Sequence, residues 1–491
     1  MGDKYSMLKQ NLIRHLPTIV FVYCVLQPIL DVASYWQTEL EINNVITVLL
    51  RMGLLGGSVL LGFVLTDRKW IYWAAAVVLG GFLAARTMAC LEAGYVDPVE
   101  DLLNMARIYS LPLMTLSMCT FVKKNERSVR AIQSGVAVNL MIIVAVMVLS
   151  RLTGTDSYTY RTKDVGVMGW FLVTSCQSAI VSMIAPIAIG WALTRWDEKV
   201  WPVLLISALA LGGLYAIGTR LSFAAMVATG VGMSVSLMLI DRTRWRQALA
   251  IICCALALLA AMPLSPMVRN QTMVGDNFKD KQNYLNDMLS GSDSTAELDE
   301  DALLIQAYNS YIPGIITRFG AEKTLEAYGR TEDASIISNA RTMKITFCKL
   351  LQEESPESAR WFGMSVTRMR EWIPVWNQEK MEREEVLNYY DPENDFHGIY
   401  YLCGIVGLAG TVLFFAYFAI NALFALLRDW RRYMTIDFMS MAICCCIAVV
   451  DCYFTACILR NNASTGYLAM ALAGLWYLSR RERSAKRMQG N

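Results

Sequence analysis

Residues 199–240 read KVWPVLLISALALGGLYAIGTRLSFAAMVATGVGMSVSLMLI. Two apolar runs of about twenty residues each are joined only by Gly218-Thr219-Arg220. A helix rises about 1.5 Å per residue, so roughly twenty apolar residues match the ~30 Å hydrocarbon core of a bilayer. Two such runs with no polar face and a three-residue turn predict a pair of antiparallel membrane-crossing helices.

Working outward, similar runs recur at about 17–36, 45–66, 70–91, 102–122, 132–152, 167–194, 199–218, 219–240, 247–265, 398–427, 436–459 and 465–480, which predicts twelve spans. Composition agrees. Of the 491 residues, 55% are apolar and 18% charged, whereas soluble domains have about 45–50% and about 25%. That excess of apolar side chains excludes a soluble enzyme and a disordered chain. The near balance of 44 basic and 42 acidic residues excludes a nucleic-acid binder.

With a cytoplasmic N-terminus, the inside segments carry 22 Lys and Arg, whereas the short outside loops carry four: Arg161, Lys163, Arg220 and Arg460. This is the asymmetry of the positive-inside rule. It predicts both termini inside. The first apolar run contains Gln27, Pro28 and Asp31 and no small-residue cleavage site follows it, so it is expected to be retained as a span. The fold expected is an all-α polytopic bundle of about twelve transmembrane helices with one large, mostly helical extracytoplasmic loop. The divisions fall at 1–265, 266–397 and 398–491.

The loop 266–396 holds 14 basic and 23 acidic residues. A structureless loop of this length is uncommon, so a functional cap is expected. Helical spacing is present at 302–319, broken by Pro313-Gly314, again at 337–352, and near 379–389; 286–301 reads as a connector. The thirteen cysteines lie almost all in spans, and the two histidines, His15 and His397, fall on opposite sides, so no metal or cofactor is expected.

Ionisable residues interrupt the spans at Asp31, Arg51, Arg86, Arg107, Arg220 and Asp451. Each costs about 2.5–3.5 kcal/mol at a helix centre on insertion scales, so each needs a reason. All fall in the outer half of their spans. One explanation is snorkelling or Arg–Asp pairs that hold helices together. The other is a set of guanidinium forks facing an anionic group such as a lipid-linked diphosphate.

Several motifs point one way. Gly218-Thr219-Arg220 at an outer span start resembles the Gly-Ser-Arg element of O-antigen ligases and polysaccharide polymerases. Ser338-Asn339-Ala340-Arg341 resembles that family's Ser-x-x-Arg, and Trp361-Phe362-Gly363 its Phe-Gly. Glu393-Asn394-Asp395-Phe396-His397 followed by Gly404-Ile405-Val406-Gly407 resembles its loop-to-span boundary. Gln27-Pro28-Ile29-Leu30-Asp31 and Gly169-Trp170-Phe171…Ser178-Ala179 are similar to stretches of the Gram-positive O-antigen-ligase-like proteins. Two positions depart from the pattern. Glu393 holds the spacing of the family's histidine, with His397 one helical turn on, and Ser175-Cys176 stand where relatives often have Asn-Glu.

The resemblance implies an inverting, metal-independent glycosyltransferase of the bacterial plasma membrane. Its donor would be an undecaprenyl-diphosphate-linked glycan and its acceptor a glycan or lipid hydroxyl. Arg220 and Arg341 would clamp the diphosphate, with Arg51, Arg86 and Arg107 as further arginines of the site. The general base would come from Glu393 or His397, with Asp395 beside them. A transporter or flippase for lipid-linked sugars or another anionic solute is the competing expectation. Transporters commonly show internal repeats and midplane sites, however, and this chain shows no repeat between its halves.

Overall fold

The structure, a computed structural model, describes residues 2–94, 97–161, 164–273, 315, 318–329, 339–377 and 382–480. The long helices are α1 (Gly2–Glu39), α2 (Val45–Leu65), α3 (Lys69–Glu92), α4 (Pro98–Lys124), α5 (Arg127–Thr153), α6 (Thr174–Arg195), α7 (Val200–Ile217), α8 (Arg220–Ile240) and α9 (Trp245–Ala260). Short helices α10 (Ala321–Ala327), α11 (Ala340–Glu353) and α12 (Glu357–Phe362) follow, then strands β1 (Arg370–Asn377) and β2 (Glu382–Tyr389). The chain continues through α13 (Asp395–Arg428), α14 (Ile436–Phe454) and α15 (Asn462–Leu478). Among the described residues eleven helices are long and apolar enough to cross a membrane. The twelfth, α15, has 17 residues, matching the short last run in the sequence.

The chain divides into two compact units. The first comprises Met1–Val77, Arg107–Asn270 and Leu413–Asn491, the second Val78–Ala106 and Gln271–Val412.

In the first unit α6 is the central element, with 94% of its apolar window buried against 11% for α2. The reason is side-chain size: Ser178, Ala179, Ser182, Ala185, Ala188 and Gly190 let neighbouring backbones come close. A Cβ on Gly190 would lie 2.6 Å from that of Ser440 on α14. The helix α15 is buried for the same reason, through Ala463, Ser464, Gly466, Ala469 and Ala473. Asn139 of α5 ties three helices, donating to the Cys24 carbonyl at 2.9 Å and to the Tyr467 hydroxyl at 3.0 Å. Peripheral helices leave Leu49, Leu60, Trp70 and Trp73 exposed, an apolar surface suited to lipid.

The second unit packs around Phe319, Phe347 and Tyr390. The Phe347 and Tyr390 rings stack at 3.8 Å, and Phe319 meets Phe347 edge-on at 5.5 Å. The helix expected near 337–352 is present as α11. The one expected near 379–389 is not: Glu382–Tyr389 is a strand, paired antiparallel with β1 from Arg370↔Tyr389 to Asn377↔Glu382. Pro374 and the run Trp372, Ile373, Val375, Trp376 make β1 a poor helix. Pairing with it overrides the helix-like charge alternation of Glu382–Glu385. The expected connector 286–301 and the amphipathic segment from 302 to Gly314 lie outside the described residues.

Candidate functional site

In the second unit the loop motif elements meet. Asn339 caps α11, its side-chain oxygen accepting from the Arg341 amide at 3.0 Å. Arg341 and Lys344, three residues apart, share one face of that helix. Glu393 lies against both. Its Oε1 accepts from Lys344 Nζ at 2.7 Å, and its Oε2 is 3.5 Å from Arg341 Nε. The cluster is open to solvent, the side chains of Arg341, Glu393 and Lys344 being 52%, 45% and 22% exposed. Burial works to raise the Glu393 pKa, but the Lys344 hydrogen bond and the charges of Lys344 and Arg341 outweigh it and hold the carboxyl below its usual range. Lys344 is absent from the residues singled out in the sequence. Only its contact with Glu393, 49 residues away in the chain, sets it apart.

The start of α13 follows directly. Asn394 caps it, its side-chain oxygen accepting from the His397 amide at 3.0 Å. Asp395 is fully buried and engaged within the fold, so it is not a solvent-facing first-turn acid. The His397 imidazole is half-buried, and its Nδ1 is buried with no hydrogen-bond partner among the described residues. Of the two candidate bases, Glu393 is held by two cations and His397 retains an unengaged ring nitrogen.

Gly363 and Gly404 cross backbone to backbone. Both have positive φ, +91° and +66°, a region that favours glycine. A Cβ on Gly363 would sit 2.2 Å from the Leu402 carbonyl carbon, and one on Gly404 would sit 2.3 Å from that of Trp361. The helix α13 breaks at Gly404 to allow this.

Arg86 pins the crossing. Its Nη1 and Nη2 fork onto the Asp101 carboxylate, with Nη2–Oδ1 at 2.9 Å. Its Nε donates to the Leu402 carbonyl at 2.6 Å and its Nη2 to the Met364 carbonyl at 2.8 Å. Asp101 also accepts from the Val366 amide at 3.1 Å. Arg86 is 0% exposed, and four of its five N–H donors are taken by the protein itself. Of the two explanations for the charges in the spans, this geometry is the Arg–Asp pair that holds helices together. Asp101 was not singled out in the sequence. The signal was topological: a short connection joins α3 to α4, so the end of one and the start of the next must lie at the same level.

The remaining arginines belong to the first unit. Arg51 pairs with Asp31 at 2.6 Å, the helix-joining alternative, although its Nη1 is buried without a partner among the described residues. Arg107 is exposed on α4. Arg220 is exposed at the start of α8 and makes no ion pair among the described residues. Its turn is rigidly built. Gly218 takes φ +69° and packs against Pro266, where a Cβ would lie 2.6 Å from the proline's own. The Thr219 hydroxyl caps α8 by accepting from the Ser222 amide at 3.0 Å and hydrogen-bonds Ser178 at 2.7 Å. In the place of the relatives' Asn-Glu, the Ser175 hydroxyl accepts from the Cys457 thiol at 3.0 Å, and the Cys176 sulfur accepts from Asn461 at 2.9 Å.

A comparison with curated proteins returns no match. A comparison with family models matches residues 14–479 to "O-antigen ligase like membrane protein". The match takes in all the motif elements described above and every long helix except the first twelve residues of α1. The chain therefore belongs to the O-antigen ligase like family of multi-pass membrane proteins, whose role is in glycan processing.

Proposed function

We propose that the protein is a bacterial cell-envelope glycosyltransferase of the ligase or polymerase type. It moves a glycan from an undecaprenyl-diphosphate carrier to an acceptor hydroxyl. The observation that carries this reading is the meeting of Arg341 and Lys344 with Glu393, at 3.5 and 2.7 Å, four residues ahead of His397 in the chain. Two cations opening to solvent suit a phosphate, and an imidazole with a free nitrogen suits a hydroxyl proton.

In the proposed step the acceptor oxygen attacks the anomeric carbon and its proton passes to His397. The bond from that carbon to the diphosphate oxygen breaks, and undecaprenyl diphosphate leaves with the electron pair. Direct attack inverts the anomeric centre. Guanidinium charge stabilises the leaving diphosphate, so the step as written calls for no metal. Arg220 enters the proposal on its own observations, as an exposed guanidinium on a rigid, family-type turn.

The test is transfer by the purified protein in lipid nanodiscs, using an undecaprenyl-diphosphate-linked oligosaccharide and a hydroxyl acceptor. Product should form with the wild type and be lost in Arg341→Ala. Equal product from both would overturn the reading. The proposed orientation, with the loop outside and both termini cytoplasmic, rests on the 22-to-4 basic asymmetry. Lys323 is exposed in α10 and Cys348 is fully buried. A Lys323→Cys variant should therefore react with a membrane-impermeant maleimide on intact cells. Reaction only after the membrane is broken would reverse the topology.

A further inference from the structure

Resting on the reading of the Arg341 cluster as a phosphate site, we propose that Lys344 is its second cationic ligand and that Glu393 is an internal anion occupying the site until phosphate displaces it.

The geometry is that of an anion site with a carboxylate already in it. The two Glu393 oxygens divide between two cations, Oε1 on Lys344 Nζ at 2.7 Å and Oε2 near Arg341 Nε at 3.5 Å. The cations come from one face of α11 and the carboxylate from a different part of the chain, just ahead of α13. The cations are therefore set by the helix, and the anion is brought to them. Among the described residues two positive charges stand against one negative in these ion pairs, and a diphosphate ester with two or more charges completes such a pair of cations better than a single carboxylate. The contact is also exchangeable. Glu393 is 45% exposed and its Arg341 contact is long, so a soluble anion can compete for both cations. The contrast lies within the same unit, where Asp101 is 1% exposed and holds Arg86 on both oxygens.

In this arrangement Lys344 is a positioning and binding residue that no motif marks, and Glu393 is not the base. Its carboxylate sets how tightly phosphate binds. The apparent affinity of a site that is free only part of the time falls in proportion to that fraction.

The experiment is titration of the full-length protein in nanodiscs with inorganic pyrophosphate, read by calorimetry. Wild type, Glu393→Gln, Lys344→Ala, Lys344→Arg and Arg341→Ala are compared, each with its unfolding midpoint measured. Glu393→Gln should bind pyrophosphate about fivefold or more tightly than wild type, because the competing anion is gone. Lys344→Ala should bind at least about tenfold more weakly and Lys344→Arg should recover most of that loss. Glu393→Gln should gain affinity even if its midpoint falls, an effect that a merely structural role does not produce. If the wild type binds, Arg341→Ala weakens binding, and Glu393→Gln leaves it unchanged or weaker, the internal-anion proposal is overturned while the phosphate reading stands. If neither the wild type nor Glu393→Gln binds pyrophosphate, both are overturned.

Discussion

Arg86 and Arg341 carry the same guanidinium, lie in the same unit, and both belong to the set that the sequence puts forward for phosphate binding. Their surroundings separate them. Arg86 is 0% exposed and has its donors on a carboxylate and two carbonyls, so a ligand could reach it only by breaking the glycine crossing. Arg341 is 52% exposed and, among the described residues, has one long ion-pair contact, to a carboxylate that also serves Lys344. A buried arginine with four of its N–H groups bonded holds a fold together, and a half-engaged, open one is available for binding. What decides between them is the number of donors left over, which residue type and span position do not report.

The largest effect that tests this contrast is on stability. Arg86→Ala leaves Asp101 buried without its partner, and breaking a buried pair costs about 3–5 kcal/mol. The unfolding midpoint in detergent should drop steeply. Arg86→Lys should also fall, because an ammonium cannot fork onto Asp101 and reach two carbonyls. A midpoint near wild type in both variants would show that the crossing stands without the pair.

The next effect is catalytic. His397→Gln should lower transfer by about 10²–10⁴-fold with little change in midpoint, since its Nδ1 makes no bond that the fold needs. Transfer at the wild-type rate would move the base elsewhere. Smaller again is Arg220→Lys, which keeps the charge and loses the fork. A lost charged hydrogen bond is worth about 1.5–3 kcal/mol, which corresponds to a rate lower by about tenfold to a hundredfold. An unchanged rate would reduce Arg220 to a surface cation.

The smallest effect is the pH dependence of Glu393. Its folded pKa is depressed, so its ion pairs stabilise the protein above the ordinary glutamate pKa of about 4.3, and that stabilisation is lost as pH falls through the lower folded value. The wild type and Glu393→Gln should therefore differ slightly in midpoint at pH 6 and converge in acid. A difference that persists at the lowest pH at which the protein stays folded would show that Glu393 acts through packing. Its exposure keeps the difference small.

The sequence by itself determined the helical spans, because crossing a bilayer demands a length and an apolarity that no other constraint imposes. Gly363 and Gly404 stood out in the sequence only as positions in motifs that resemble a family; their backbone crossing is a tertiary fact. The charges in the sequence placed Asp31, Arg51 and Arg86 toward the outer ends of their spans, without saying which pairs would close. Only the tertiary structure decided those pairings, because the partners come from different helices. The 382–389 strand was likewise outside local reach, since a strand at the edge of its propensity takes its state from the strand it pairs with. Lys344 was hidden for a related reason. A lysine on an amphipathic helix looks like any solvated charge until a carboxylate 49 residues away comes to lie 2.7 Å from it.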